Sequence, residues 1–187
     1  MGGEPLSPAP GVSAGQSAPL PPAPAPAPAW AGVRRLALLL AASQPTYPFY
    51  VRALAGGDWW LAWFTSASAV LFGLVPWAVR RWPRRGWWLL PGTGVANTAL
   101  AVALFGQGSG VAALLVPCAL IVALGAPGRR AWPAAGLVLA LGALGCWLMP
   151  GPVGRFAPAG LAGLVRLNLG SALAACVMVA MVLRRQG

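Results

Sequence analysis

The sequence predicts an all-α, polytopic integral membrane protein with about six transmembrane helices and both termini cytoplasmic. Three observations carry that prediction. Of 187 residues, 58% are apolar and 8% charged, and the mean hydropathy is +0.72. A soluble domain carries about 25% charged residues. A chain this poor in charge has too little polar surface to face water, a need that lipid removes. The apolar residues fall into runs long enough to cross a bilayer, and all 13 basic residues are arginines set mostly in pairs between those runs. The net charge of +11 therefore reads as a topological pattern, not as a basic patch on a soluble face, and nucleic acid is not an expected partner.

Residues 1–29, ending in "SAPLPPAPAPAPA", form a Pro/Ala-rich tail expected to be disordered and extended. The tail lacks the basic start and apolar core of a secretory signal. Leu6 stands where a myristoylation pattern needs Ser or Thr. It reads as a tether ahead of a six-helix domain over residues 30–187. The expected spans are 33–54, 59–79, 87–105, 110–127, 132–149 and 161–183. Charge-free windows support the middle four: 21 residues between Asp58 and Arg80, 43 between Arg85 and Arg129, and 24 between Arg130 and Arg155. One span takes about 20 residues, so the longest window holds two, joined by "GQGSG". The first span is the weakest. Only 16 residues separate Arg35 from Arg52, and "ASQPTYPFY" sets polar groups and two prolines among them.

Six alternating spans from a cytoplasmic N-terminus place Arg34, Arg35, Arg80, Arg81, Arg84, Arg85, Arg129, Arg130, Arg184 and Arg185 inside. Only Arg52 and Arg155 fall in outer loops, the asymmetry that basic residues impose by resisting translocation. Trp59, Trp60, Trp77, Trp82, Trp87, Trp88, Trp132 and Trp147 fall at span ends, where an amphipathic ring suits the headgroup region. Arg166 lies 17 residues before Leu183, about 26 Å of helix. That brings it within about a turn of the outer interface, where its side chain can snorkel to water. Asn168 projects from a different face, shared with Ser171, Ala172 and Ala175, a small and weakly polar stripe suited to contact with another helix. Gly136, Ala140, Gly142 and Gly145 offer similar faces on the fifth span, and Pro117 is expected to kink the fourth.

The inventory for catalysis is thin. There is no His and no Lys, and the only carboxylates are Glu4 and Asp58. General acid–base work needs a tuned titratable pair, and metal chemistry needs several ligands. Cys118, Cys146 and Cys176 each sit inside an apolar run and read as packing residues, with no disulfide framework or zinc spacing. No enzyme activity, cofactor or metal is expected. "GQGSG" at 106–110 and "PGTG" at 91–94 lack the lysine of a phosphate loop and read as an outer turn and a helix start.

The outer side holds a more informative cluster. "SQPTYPFYVRALAGGD" carries Gln44, Thr46, Tyr47, Tyr50, Arg52 and Asp58, with Pro45 and Pro48 breaking the end of the first helix. Irregular backbone at membrane depth persists only when buried in protein or lining a wet cavity. Arg155, Arg166 and Asn168 reach the same side. Gln44, Tyr47, Tyr50, Asp58, Arg166 and Asn168 are therefore the candidate ligand-binding residues of an outward-facing pocket. The plainer alternative is a hydrated helix end with an Arg52–Asp58 surface pair.

The stretch "NTALAVALFGQGSGVAALLVPCALIVAL" from Asn97, followed by "GRR", resembles the six-helix N-terminal membrane sensor regions of bacterial adenylate cyclases, diguanylate cyclases and histidine kinases. In those, a G-x-x-(S/T)-G outer turn leads into a helix with a central proline and then a basic cytoplasmic turn. Gly106, Ser109, Gly110, Pro117, Arg129 and Arg130 stand in those places. "RLNLGSALAA" from Arg166 is similar to their last helix, with an Arg and an Asn near its outer start. The resemblance covers about residues 33–185. It implies a sensor whose last helix feeds a signalling domain. Here Gly187 follows two residues after Arg185, so the output domain is expected to be lost, carried on another chain, or never present.

Arg without Lys, with abundant Ala, Gly and Trp, points to a high-GC bacterial source and to the inner (plasma) membrane. The expected function is a non-enzymatic, sensor-like or signal-coupling membrane module acting through a partner. The alternative is a small transporter or permease subunit, disfavoured because there is no buried carboxylate and no convincing inverted repeat. A structural assembly subunit ranks third. The partner classes are the lipid bilayer, a cytoplasmic or membrane signalling protein, and a second copy of the chain in a homo-oligomer.

Overall fold

Backbone amides have no water to bond in lipid, so apolar runs bond internally as helices. The computed structural model describes residues 30–55, 59–83, 85–125, 130–149, 151 and 156–184, and every regular element among them is helical. The Pro/Ala-rich tail, Asp58, Arg84, Arg129, Arg155 and Arg185 lie outside the described residues.

Six segments follow one another. The first is α1 (Ala31–Ser43), a 3-10 turn (Gln44–Thr46) and α2 (Tyr47–Ala55). The second joins a 3-10 turn (Trp59–Leu61) to α3 (Ala62–Ser66) and α4 (Ser68–Arg81). The third is α5 (Leu89–Phe105), and the fourth is a 3-10 run (Val111–Leu114) with α6 (Leu115–Gly125). The fifth and sixth are α7 (Ala131–Leu148) and α8 (Pro158–Arg184). Four helical stretches are long and apolar enough to cross a membrane: Trp59–Arg81, Gly86–Phe105, Ala131–Leu148 and Pro158–Leu183. The other two segments are shorter or interrupted. Val111–Gly125 is a shorter apolar helix, and the first segment changes winding at Gln44–Thr46.

Proline placement explains several boundaries. Pro48, Pro91, Pro117, Pro133 and Pro158 all fall within the first three residues of α2, α5, α6, α7 and α8. The first turn has amides without intrahelical partners, so a missing N–H costs little there. Pro117 lies within Val111–Gly125, at the third residue of α6, just past the point where the 3-10 run gives way to α-helix. The first helix ends at Ser43, directly ahead of Gln44 and Pro45, and the chain tightens for three residues before resuming as α2.

The core is split in two. One cluster gathers Val33 and Leu36 of α1, Val79 of α4, Trp87 and Leu90, Val122 of α6, Ala135 of α7, and Val179 and Leu183 of α8. The other gathers Val51 of α2, Leu61, Val102 and Phe105 of α5, Val111, Cys146 of α7, and Leu164 of α8. Each segment therefore runs from one cluster to the other, and its successor returns. The helix ends beside Arg34, Arg80, Arg81, Arg130 and Arg184 collect at the first cluster, whereas Arg52 lies at the second. Much of the outer surface is apolar, with Val70, Leu137, Leu141 and Leu173 all more than half exposed, as lipid contact requires.

Two expectations are corrected by packing. Trp87 does not join an interfacial belt: it is 3% exposed and stacks on Trp30 with ring centroids 5.9 Å apart. Trp77, Trp132 and Trp147 remain exposed. The small residues of α7 do not act alike either. A Cβ on Gly142 would lie 2.6 Å from Leu115 Cδ2, so close contact with α6 depends on that glycine. Gly136 and Gly145 have nothing within 4 Å of the same position. Gly142→Val should therefore destabilise the protein by about 1–3 kcal/mol through overpacking. Gly136→Ala should be neutral or stabilising by up to about 1 kcal/mol, because alanine is the better helix former. Thermal unfolding in detergent compares the two.

Candidate functional site

Between the two core clusters lies a cavity of about 650 Å³, within the range of small-molecule sites. Its walls come from five segments, the second contributing Thr65 of α3. Leu40, Gln44 and Tyr47 belong to the first segment, Asn97 and Ala101 to α5, Val111 and Leu114 to the fourth segment, and Arg166 through Met178 to α8. The cavity exists because each segment leaves one core cluster there before entering the next.

The broken first segment is held by side chains of the second. In an unbroken α-helix the amide at position 48 would bond the carbonyl of Gln44, but Pro48 has no N–H. The Tyr47 amide closes the 3-10 turn on that carbonyl, and the Ser66 hydroxyl adds a second donor at 2.9 Å. Ser68 Oγ donates to Gln44 Oε1 at 3.1 Å, which orients the amide side chain. Thr46 Oγ1 donates to the Ser43 carbonyl at 2.6 Å. The irregular backbone is thus satisfied from within the protein.

A second polar chain crosses three segments. Tyr47 donates its hydroxyl to Asn168 Oδ1 at 3.0 Å, and Asn168 Nδ2 donates to the Ser109 carbonyl at 2.9 Å. Asn168 is fully buried, as is Ser109, whose hydroxyl closes back on the Gly106 carbonyl at 2.7 Å. The turn that presents Ser109 needs glycine on both sides, with φ of 86° at Gly106 and 74° at Gly110. A Cβ on Gly110 would also lie 3.2 Å from Val165 Cα, so the turn sits directly on the α8 backbone.

Of the candidate residues read from the sequence, Gln44, Tyr47, Tyr50, Arg166 and Asn168 all border this one cavity. Asp58 lies outside the described residues. Arg52 turns elsewhere, with its guanidinium 5.1 Å from the Trp59 ring centroid. The stripe of Asn168, Ser171, Ala172 and Ala175 is divided in two. Ala172 is buried among neighbouring helices, whereas Ser171 and Ala175 border the cavity and leave it open.

Asn97 was not among the residues singled out for the site. It borders both the main cavity and a smaller adjoining pocket of about 80 Å³. Its Oδ1 is buried with no hydrogen-bond partner among the described residues. An asparagine within an apolar span was the available signal.

No protein family, no curated protein and no solved structure matches the chain. The class defined by the fold is a helical membrane protein with a cavity between its segments. No group of three or more metal-ligating side chains occurs among the described residues.

Asn168→Leu removes the bridge between three segments and leaves two partners unpaired, so it should cost about 1–3 kcal/mol. Tyr47→Phe removes one bond and should cost about 1 kcal/mol. The double variant should fall short of the sum by more than about 0.5 kcal/mol, because the two side chains share one interaction. Reversible unfolding in mixed micelles reads all three.

Proposed function

We propose that the protein is a non-enzymatic, sensor-like module of the bacterial inner membrane, with six spans and both termini cytoplasmic, that passes a signal to a partner. One observation supports this reading above the others. A cavity bordered by polar side chains adjoins the point where the first segment changes winding, and the same residues tie that segment to α8. An occupant that contacts Tyr47 or Asn168 acts on the seam between α2 and α8. Differential contact of that kind is what shifts a packing equilibrium. The likeness of "GQGSG", Pro117 and "RLNLGSALAA" to bacterial sensor regions agrees with the reading, and α8, which ends beside the arginine-rich face, is the natural output element. A carboxylate that titrates in mid-membrane is the usual mark of an ion-coupled transporter, and neither carboxylate of the chain lies in an expected span.

Two measurements test this. Reporter fusions after Arg85, Arg130 and Gly187 should be cytoplasmic, and fusions near Gly108 and Val153 external; an external C-terminus defeats the topology. The coupling is tested through the close approach of α8 to α2, where a Cβ on Gly163 would lie 3.3 Å from Leu54 Cβ. A Leu54→Cys, Gly163→Cys pair in a chain cleared of its three native cysteines should form a disulfide. The lock should fix the output of the enzyme recovered by cross-linking in native membranes. Recovery of an ATPase or a second permease half, with output indifferent to the lock, favours a transporter subunit instead.

A further inference from the structure

The cavity has a direction and a side door. On α8 it runs from Arg166 to Met178, about 18 Å of helix axis. Its Arg166 end is polar, with Tyr47, Tyr50 and Asn168 close by in the wall, and toward its far end the lining of Leu40, Ala175 and Met178 is apolar except for the amides of Gln44 and Asn97. The exposed members of the wall fall on two opposing edges. Arg166, Gly170 and Ala174 follow one line of α8, and Ser43, Thr46 and Tyr50 form the facing edge of the first segment. Positions 166, 170 and 174 are spaced by four, so they form one stripe along the helix. The opening is therefore a slot between two segments, reaching about two turns below Arg166, and not a funnel at the end of the bundle. A slot at that depth in a membrane helix meets acyl chains.

The lip of the slot is small by sequence. Gly170 has nothing within 4 Å of where a Cβ would stand, and Ser171, Ala174 and Ala175 continue the low wall. Arg166 supplies a cation at the polar end. Both carboxylates of the chain lie outside the described residues, so no described acid neutralises it. The volume also discriminates. About 650 Å³ corresponds to roughly twenty water-sized groups at about 30 Å³ each. That accommodates one alkyl chain with a compact head. A two-chain phospholipid has more than twice as many heavy atoms.

We infer that the slot between the first segment and α8 binds a single-chain anionic amphiphile of the long-chain fatty-acid class, entering sideways from the bilayer, with its carboxylate at Arg166 and its chain running past Gly170 and Ala174 toward Met178. The guanidinium offers a planar fork to a carboxylate. Tyr50, exposed at the same end, adds a hydroxyl. The chain replaces lipid contact along the low wall of α8. This identifies the ligand class of the cavity on which the sensor reading rests.

The test uses the full chain reconstituted in phosphatidylcholine vesicles, with a diazirine-bearing palmitate as the probe and mass spectrometry to map adducts. Saturable labelling is expected on α8 between residues 167 and 178 and on α1 near Leu40. Unlabelled palmitate should compete, and an alkyl amine of equal length should not. Arg166→Leu should weaken labelling about tenfold or more, as loss of a charged hydrogen bond does. Gly170→Phe, which has room to fold, should abolish labelling while leaving the unfolding temperature unchanged. Labelling that survives Gly170→Phe, equal competition by the amine, or adducts confined to the lipid-facing side of α7 would overturn the assignment. The sensor reading fails separately. Palmitate bound at the slot with no change in partner output removes the coupling and keeps the ligand, whereas output that responds while the slot stays unlabelled does the reverse.

Discussion

The side-chain amide of Asn168 is the interaction on which the site depends. It is fully buried and bonds at once to the Tyr47 hydroxyl and the Ser109 carbonyl, so one residue of α8 fixes α2 and the turn after α5. In hydrocarbon such an amide has no alternative partner in solvent. Any shift of α2 away from α8 must therefore break a bond or carry Asn168 with it. The close contacts below it reinforce the constraint, because Gly160 and Gly163 let the α8 backbone approach the carbonyls of Ala55 and Leu54. At this end of the bundle, α2 and α8 move as one unit or separate at measurable cost.

The irregular first segment is the counterpart of that constraint. Pro45 and Pro48 remove two amides from one helical turn, and an unsatisfied carbonyl in lipid would be costly. The Gln44 carbonyl takes the Tyr47 amide and the Ser66 hydroxyl, and Ser68 holds the Gln44 side chain. The turn is therefore anchored on the second segment, while Tyr47, one residue later, is anchored on α8. Leu40 and Ala41 pack against the first core cluster and Tyr47 against the second, and the change of winding at Gln44–Thr46 falls between them. The cavity borders that turn.

Much of this was legible in the sequence, and the reasons are physical. Hydropathy exposed the four helices able to cross a membrane because lipid-facing and core-facing residues are both apolar, so long runs survive uninterrupted. Proline and polar residues in "ASQPTYPFY" marked the irregular turn, and five of six candidate residues converge on one cavity because intramembrane polar side chains have few places to go. Packing was less legible. Trp87 looks like its exposed neighbour Trp88, and only the partner Trp30 distinguishes them. Gly142 and Gly136 read alike until Leu115 is placed beside one of them. The change of winding just ahead of Pro117 has no mark in the apolar run that contains it. Asn97 is marked in the sequence only as a polar residue within an apolar span; its place on the cavity wall comes from helices that converge on it from distant parts of the chain.

Small residues on α8 serve two opposite ends, and the difference explains how one helix both closes and opens the bundle. At Gly160 and Gly163 the missing side chain is filled by the backbone of α2. At Gly170, Ser171, Ala174 and Ala175 no neighbouring helix fills the space, although a larger side chain at position 170 would meet nothing. Glycine inside a helix costs roughly 0.5–1 kcal/mol relative to alanine. At Gly163 close packing offsets that cost, and at Gly170 no protein contact does. Stability alone would favour a bulkier residue at Gly170, as it would favour an apolar one at Asn97, whose buried oxygen has no described partner. Both sacrifices fall on the border of the same cavity. Open space beside a helical glycine and an unpartnered buried oxygen also occur elsewhere, at Gly136 and Gly145 of α7 and at Thr93 of α5, so what sets Gly170 and Asn97 apart is that both border one cavity, between α8 and the first segment.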